Sequence, residues 1–481
     1  MIRSPIITIL GHVDHGKTTL LDYIRKSHVT EKEHGGITQK IGGYEIDTHI
    51  KGYPVSRITF IDTPGHEAFS KLRARGANVA DIAILIIDAK DSIMPQTIES
   101  ISHIKSANIP FIVALNKVDL PEANPEKVKN DLLKYEIAVE GKGGNVPIVN
   151  ISAKKGTGIN DLLEMILFIA SEMNLKYEVS NPFKGYIIET KKDRNGIMAS
   201  IIIKEGELKV GDIIYNEGEK IKVKAIFNDL GESLSHASPS TPVEISGFSE
   251  LPKVGSMLTT EPQAEKIVEK TGVKKAEFNI NSLFEKKIDT KKISIIIKTD
   301  SQGSLEAISN ALSKNENLEI ILKAVGDIHK SDIFLAKTTS AIVIGFNIFI
   351  TNEVKDLAKQ EKVIIKTYKI IYELLDELNE VAALLQEKEA KEKSAKGEAK
   401  ILANFIIEGE KIYGVKVTKG KINLGDQIEL YRGINLINKT RLVSLKTRAK
   451  TVNEVKKDQE AGMIFSPPID ISMGDMIKSI S

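Results

Sequence analysis

No cysteine occurs in the 481-residue chain. That removes disulfide scaffolds, thiol catalysis and Cys-ligated zinc or iron–sulfur centres from consideration. A dominant charge is missing too: 67 Lys and Arg face 65 Asp and Glu, a net of +2. Whole-molecule charge therefore names no partner, and any nucleic-acid surface must be local. Long apolar runs are absent, so no stretch suits a membrane span. The run Ile6 to Leu10 is too short for the hydrophobic region of a signal peptide. These absences lead us to expect a cytosolic protein with no membrane partner. What remains, 41% hydrophobic and 27% charged residues, is the composition of an ordinary globular protein. At about 150 residues per domain the length implies roughly three domains.

Apolar runs interleaved with helical patterns fill residues 1–173, as in ITIL, RITFI, IAILIID, FIVAL and VPIVNI. Continuous rather than alternating runs suit parallel strands buried on both faces, which predicts a doubly wound α/β domain. Residues 182–262 change to short strands broken by Gly, the texture of an antiparallel β-barrel. Residues 263–292 read as a polar linker. Over 293–369 the α/β alternation returns in a smaller domain. Residues 370–399 form an apolar stripe from Ile370 to Leu385 followed by QEKEAKEKSAKGEAK, predicted as a connecting helix fraying into a charged tether. Residues 400–481 read as a second β-barrel. GELKVGDIIY at Gly206 and GKINLGDQIELY at Gly420 share a Gly-Asp turn before a strand, and MGDMI at Met473 repeats it, which supports two related barrels. The fold class is thus multidomain: α/β, β, α/β and β.

Chemistry concentrates at the start. Gly11, His12, Val13, Asp14, His15, Gly16, Lys17 and Thr18 spell GHVDHGKT between a strand and a helix. This is the GxxxxGK[ST] pattern whose amides wrap phosphates, whose Lys reaches the β/γ-phosphates and whose Thr ligates Mg²⁺; Thr19 follows it. Asp62, Thr63, Pro64, Gly65 and His66 spell DTPGH after RITFI. There a strand-end carboxylate can hold Mg²⁺ and the Gly65 N–H can meet a γ-phosphate. Asn116, Lys117 and Asp119 of NKVD follow FIVAL. An Asp accepts guanine N1–H and its 2-amino group, which adenine cannot offer, so GTP and GDP are the expected ligands. Ser152, Ala153 and Lys154 follow VPIVNI, where a loop can close over the base. Between the first motifs, HGGITQKIGG at His34 to Gly43 reads as a switch loop with Thr38 as a further Mg²⁺ ligand. His66, next to the γ-phosphate position, is the candidate catalytic residue, as a base or as a residue that positions water.

These residues resemble the translational GTPases, and within them the bacterial translation initiation factor two family. PIITILGHVDHGKTTLLDYIRK, HGGITQKIG, DTPGHEAFSKLRARGANVADIAILIIDAKDSIMPQTIESI, FNDLG, PSTPVEI, DSQGSLEAI, AIVIGFN and IIYEL all carry the likeness, over nearly the whole chain. The resemblance implies ribosome-stimulated GTP hydrolysis, binding of initiator tRNA by the C-terminal barrel, placement on the small ribosomal subunit and joining of the large one. Other initiation factors would be partners, and the protein would act as a monomer. It also implies an apolar gate of Val13 and Ile37 near His66, and a monovalent cation near Asp14.

The chain departs from the family pattern where Pro5 already borders the first domain; contacts made by the family's usual N-terminal region are expected to be absent. Val415 and Ala461 stand where the family commonly has Cys, and SLKTR at Ser444 to Arg448 replaces SLKR. Residues 400–481 carry 14 Lys or Arg and 9 Asp or Glu. Lys439, Arg441, Lys446, Arg448 and Lys450, with Glu460 nearby, are the candidate tRNA contacts. Three other functions compete with this one: a nucleotide-gated RNA-binding module with negligible turnover, a GTP-powered small-molecule enzyme, and an elongation-type tRNA carrier.

Overall fold

The computed structural model describes residues 1–25, 41–193, 196–262, 292–407, 410–433, 435–448, 450–468 and 470–480. Ile37, Thr38 and the linker at 263–291 lie outside them. Two compact units result, Met1–Leu378 and Asn379–Ser481.

The first sheet of the N-terminal unit has six strands: β1 (Ile6–Gly11), β2 (Gly42–Asp47), β3 (Arg57–Asp62), β4 (Ile82–Asp88), β5 (Phe111–Asn116) and β6 (Ile148–Asn150). Their order is β2-β3-β1-β4-β5-β6, parallel except for the antiparallel β2–β3 pair. Every residue of β1 and β4 is buried. Alternate side chains feed opposite cores. Ile82, Ile84 and Ile86 pack with Leu162 and Ile166 on one face, while Ala83, Leu85 and Ile87 pack with Ile101, Ile104 and Leu132 on the other. The expected doubly wound layout is therefore present, with α1 (Lys17–Arg25), α2 (Ser70–Val79), α3 (Pro95–Ala107), α4 (Pro125–Leu133) and α5 (Ile159–Met173) as its helices. One correction concerns the Gly-rich stretch: its last residues, Gly42 and Gly43, begin an edge strand paired with Asp62 and Ile61. Without side chains to alternate, this strand start has no periodic signal.

An eight-stranded antiparallel sheet follows between Lys184 and Thr259, wrapped round a single core that includes Ile187, Ile201, Ile214 and Ile245. It is fastened to the first sheet at Asp81. That carboxylate is 7% exposed and accepts from Arg3 Nη1 and Nη2 at 2.6 and 2.8 Å, Lys204 Nζ at 2.7 Å and the Ile6 amide at 2.9 Å. Burial alone would raise the Asp81 pKa, but the hydrogen bonds and charges of Arg3 and Lys204 hold it below the usual range. The small α/β domain is a four-stranded parallel sheet containing Ile293–Thr299, Leu318–Val325, Ile342–Phe346 and Ile365–Tyr368. Arg75 reaches its Glu306 at 2.6 Å, and the buried Glu189 of the barrel accepts the Gly303 amide at 3.0 Å.

A helix runs Ile371–Ser394, and the next strand begins at Ala395. The stretch expected to be a tether is thus helix and strand, and the C-terminal sheet starts before residue 400. Gln, Glu, Lys and Ala are strong helix formers that need no core to propagate a helix already nucleated.

In the C-terminal unit six strands close on themselves. Ala395–Ile407 pairs with both Met476–Ile480 and Glu410–Asn423, and the ring is completed through Gln427–Arg432, Asn435–Thr447 and Glu460–Ser466. The repeated Gly-Asp turns share one geometry in both barrels. Gly211, Gly425 and Gly474 have φ of +98°, +89° and +94°, as the third position of a type II turn requires. The Asp that follows each accepts the amide three residues back: Lys209 to Asp212 at 2.8 Å, Asn423 to Asp426 at 2.8 Å and Ser472 to Asp475 at 2.9 Å.

Candidate nucleotide site

Four loops leave the C-terminal ends of β1, β3, β5 and β6 and meet at one cavity of ≈340 Å³. Its walls carry Val13, Asp14, Gly16, Lys17, Thr18, Thr19, Gly65, His66, Asn116, Lys117, Asp119, Ser152, Ala153 and Lys154. Thr63 and Pro64 are buried behind it.

The end of the cavity lined by Asn116, Asp119 and Ala153 is stapled by a single amide. Asn116, 2% exposed, donates from Nδ2 to His15 O at 2.8 Å and accepts the Ala153 amide on Oδ1 at 2.9 Å. Three motifs far apart in sequence are thereby tied through one side chain. Gly16 is required beneath it: at φ +94° a Cβ would lie 2.3 Å from Asn116 Nδ2. Lys117 pairs with Asp88 at 2.7 Å. A hydrogen bond from the Ser152 side chain, with help from Lys155, holds the Asp119 carboxyl below the usual carboxylate range. It is therefore a charged acceptor at neutral pH, as a guanine edge requires.

The GHVDHGKT end closes on itself. Lys17 Nζ donates to Gly11 O at 3.0 Å and His12 O at 2.6 Å, two carbonyls of its own loop. Burial lowers the Lys17 ammonium to about 8, although the nearby Asp62 carboxylate favours its charge. His15 is 1% exposed, and burial brings its imidazole down to about 4, so it is neutral and packs edge-on to His12 with ring centroids 5.1 Å apart. Gly65 crosses directly over Lys17: a Cβ there would come within 2.5 Å of Nζ. The Thr18 hydroxyl on the cavity wall and the Asp62 carboxylate beside Lys17 are hard oxygen donors that suit Mg²⁺. Thr38 and Ile37, the other metal and gate candidates, lie outside the described residues; Val13 is on the wall.

His66 caps the short helix Glu67–Phe69, with the Ala68 amide donating to its Nδ1 at 2.8 Å. Burial, then the nearby Arg73 charge, lowers its pKa despite Glu67. The ring is neutral at pH 7 and carries its proton on Nε2.

Sequence patterns missed several neighbours. Gln96 Oε1 accepts the Val13 amide at 2.8 Å. Leu120 lines the cavity beside Asp119. Tyr372, at the start of the connecting helix, lines the cavity with its ring centroid 4.3 Å from that of His66. Arg73 is fully buried beneath the DTPGH loop. None belongs to a nucleotide motif; Gln96 alone had a local signal, in the helix-opening MPQT.

The C-terminal strip is built differently. Lys439, Arg441 and Lys446 are exposed along the strand Asn435–Thr447, as are Arg448 just past its end and Lys450 at the start of the short strand Lys450–Thr451. A register shift between Leu442 and Ser444 puts 439, 441 and 446 on the same outward side. Lys439 already pairs with Glu429 at 2.7 Å, and Arg441 donates from Nε to Gly425 O at 3.0 Å. Glu460 sits on a neighbouring strand opposite Lys416. Val415 and Ala461 are direct cross-strand partners, 1% and 7% exposed in the barrel core.

Residues 3–172 match the family described as the elongation factor Tu GTP binding domain, 182–261 match elongation factor G domain 2, and 261–379 match translation-initiation factor 2. With four converging loops around one pocket, these matches define a translational GTPase. Translation initiation factor IF-2 of Caldanaerobacter subterraneus subsp. tengcongensis is 41% identical, over 99% of this chain and 69% of its own length. That of Fervidobacterium nodosum is 42% identical, over 99% of this chain and 71% of its own. The chain belongs to the translation initiation factor IF-2 family. Among solved structures, GDP-bound aIF5B from Aeropyrum pernix aligns with 26% identity over 100% of this chain and 92% of that one, at a TM-score of 0.49.

Proposed function

We propose that the protein is a GTP-driven timer of translation initiation in the cytoplasm. It binds initiator tRNA through its C-terminal barrel, places it on the small ribosomal subunit, promotes joining of the large subunit and hydrolyses GTP on the ribosome. The observation that carries this is the Asn116 staple, which ties three loops together around the cavity that Lys17 and Asp119 line. Membership of the family and His66 on the cavity wall favour this function over a nucleotide-gated RNA-binding module with negligible turnover.

On this proposal GTP enters with its base against Asp119, under Ser152, Ala153 and Lys154. Its phosphates take over the Lys17 ammonium from Gly11 O and His12 O. Thr18, Asp62 and Thr38 would hold Mg²⁺, which neutralises charge developing on the phosphates. The Gly65 N–H reaches the γ-phosphate. His66, protonated on Nε2 with Nδ1 engaged, donates toward the attacking water or a phosphate oxygen; it orients rather than removes a proton. Val13 and Ile37 would gate its approach, and Asp14 would face a monovalent cation. The exposed Lys439, Arg441, Lys446, Arg448 and Lys450, with Glu460, would contact tRNA. Filter binding of formylated initiator, unformylated initiator and elongator tRNAs tests the initiation-specific part: preference for the formylated species is expected, and equal binding of all three overturns it.

A further inference from the structure

Arg73 is 0% exposed, on α2, and its guanidinium is committed in two directions. Nη1 donates to Pro64 O at 2.9 Å and to His66 O at 2.6 Å. Nη2 donates to both carboxylate oxygens of Glu99 on α3, each at 2.8 Å. Glu99 is steadied in turn by His103, whose Nε2 lies 3.1 Å from Oε1. Burial would raise the Glu99 pKa, but hydrogen bonds from His103, Ser70 and Arg73 bring it to about 2, so the pair stays charged across the physiological range.

The two carbonyls are informative because they bracket the reacting end of the loop. A trans peptide is planar, with its C=O and N–H pointing opposite ways. Fixing Pro64 O toward Arg73 therefore turns the Gly65 N–H the other way, and Gly65 lines the cavity. Fixing His66 O anchors the backbone from which the imidazole projects. Thr63 secures the same loop from the β1 side, donating from Oγ1 to Ile9 O at 3.0 Å. We propose that Arg73 is a positioning residue for hydrolysis: braced by Glu99, it sets the Pro64–Gly65 and His66–Glu67 peptide planes and so aims the Gly65 amide and the His66 ring. This rests on the part assigned to His66 above. A lysine at 73 keeps the charge next to Glu99 but offers three donors from one nitrogen, and it cannot keep the four hydrogen bonds that Arg73 makes from two.

The full-length protein with Arg73→Lys, Glu99→Gln, His66→Ala and Arg73→Lys/His66→Ala, assayed for ribosome-stimulated GTP turnover and for GDP affinity, tests this. For Arg73→Lys we expect kcat to fall about tenfold with KM for ribosomes and GDP affinity within about twofold of the parent, and for Glu99→Gln a smaller loss of about threefold. Because part of the effect runs through His66 and part through the Gly65 amide, Arg73→Lys should slow His66→Ala by less than it slows the parent, about threefold. A parental kcat in Arg73→Lys, or a tenfold loss repeated on the His66→Ala background, overturns the proposal. A merely structural brace would instead weaken GDP binding and lower thermal stability in step with rate, which also overturns it. His66→Ala turning over at the parental rate sinks the assignment of His66 itself, a result distinct from failure of Arg73→Lys alone.

Discussion

The nucleotide pocket and the basic strip of the C-terminal barrel are both made of polar residues, yet they are held by opposite means. In the pocket, Asn116 and Lys17 are buried and hydrogen-bonded to backbone atoms of other turns. On the strip, Lys446, Arg448 and Lys450 stand exposed, and the pair that Lys439 makes with Glu429 leaves the Lys 68% exposed. Buried, interlocked groups contribute geometry, so losing one changes what reaction or base is accepted. Exposed charges contribute additive attraction, so losing one changes only how much salt is tolerated.

This contrast can be broken by five measurements. The largest effect is expected for His66→Ala, which should keep GTP affinity and lose about a thousandfold in stimulated hydrolysis; single-turnover assays on ribosomes decide it. Next, Asp119→Asn should weaken GTP about a hundredfold and improve binding of xanthosine triphosphate, whose 2-oxo group accepts from an amide. Competition binding with both nucleotides checks this, and unchanged selectivity would place the base elsewhere.

A third effect concerns protons. In the free protein the Lys17 ammonium titrates near 8, and bound phosphates would raise it. GTP affinity should therefore be constant below that value and fall about tenfold for each pH unit above it, until the bound form also titrates. Calorimetry in buffers of different ionisation heat would show proton uptake on binding above pH 8. His66 behaves in the other direction: its lowered pKa keeps the ring neutral as the pH drops past the ordinary value of 6.5, so hydrolysis should decline only at more acid pH, and that decline should vanish in His66→Ala. Smallest of all, Lys446→Ala or Lys450→Ala should weaken tRNA binding only about threefold and lower the slope of log affinity against log salt by about one. A large, salt-independent loss from either change would mean that the strip works as the pocket does.

The same contrast explains what could be read from sequence. GHVDHGKT, DTPGH and NKVD sit at strand ends because strand, turn and phosphate geometry dictate local residue types, and the four loops do converge. Arg73 was invisible because its meaning is not local: on a helix with Lys71 and Arg75 it resembles one more surface charge, and only the fold brings Glu99 beneath it. Tyr372 is hidden for the same reason, being far along the chain from His66. The Gly-Asp repeat was legible as a turn, but not that the carboxylate itself completes the turn by taking an amide. The charged segment after Leu385 misleads in the opposite direction: it lacks core-forming residues, which points to a tether, yet its helix propensity is high and the helix runs to Ser394. Val415 and Ala461 show that a departure from family pattern can be internal: side by side in the core, they bear on how the barrel is filled.

The ring of strands in the C-terminal unit has a consequence for how the barrel resists aggregation. A ring has no first or last member, so where its six strands overlap each has a partner on both sides; past that overlap, among the described residues, Ala403–Ile407 is paired on one side alone, with Glu410–Gly414. Lending one to a second copy would mean tearing both of its seams at once.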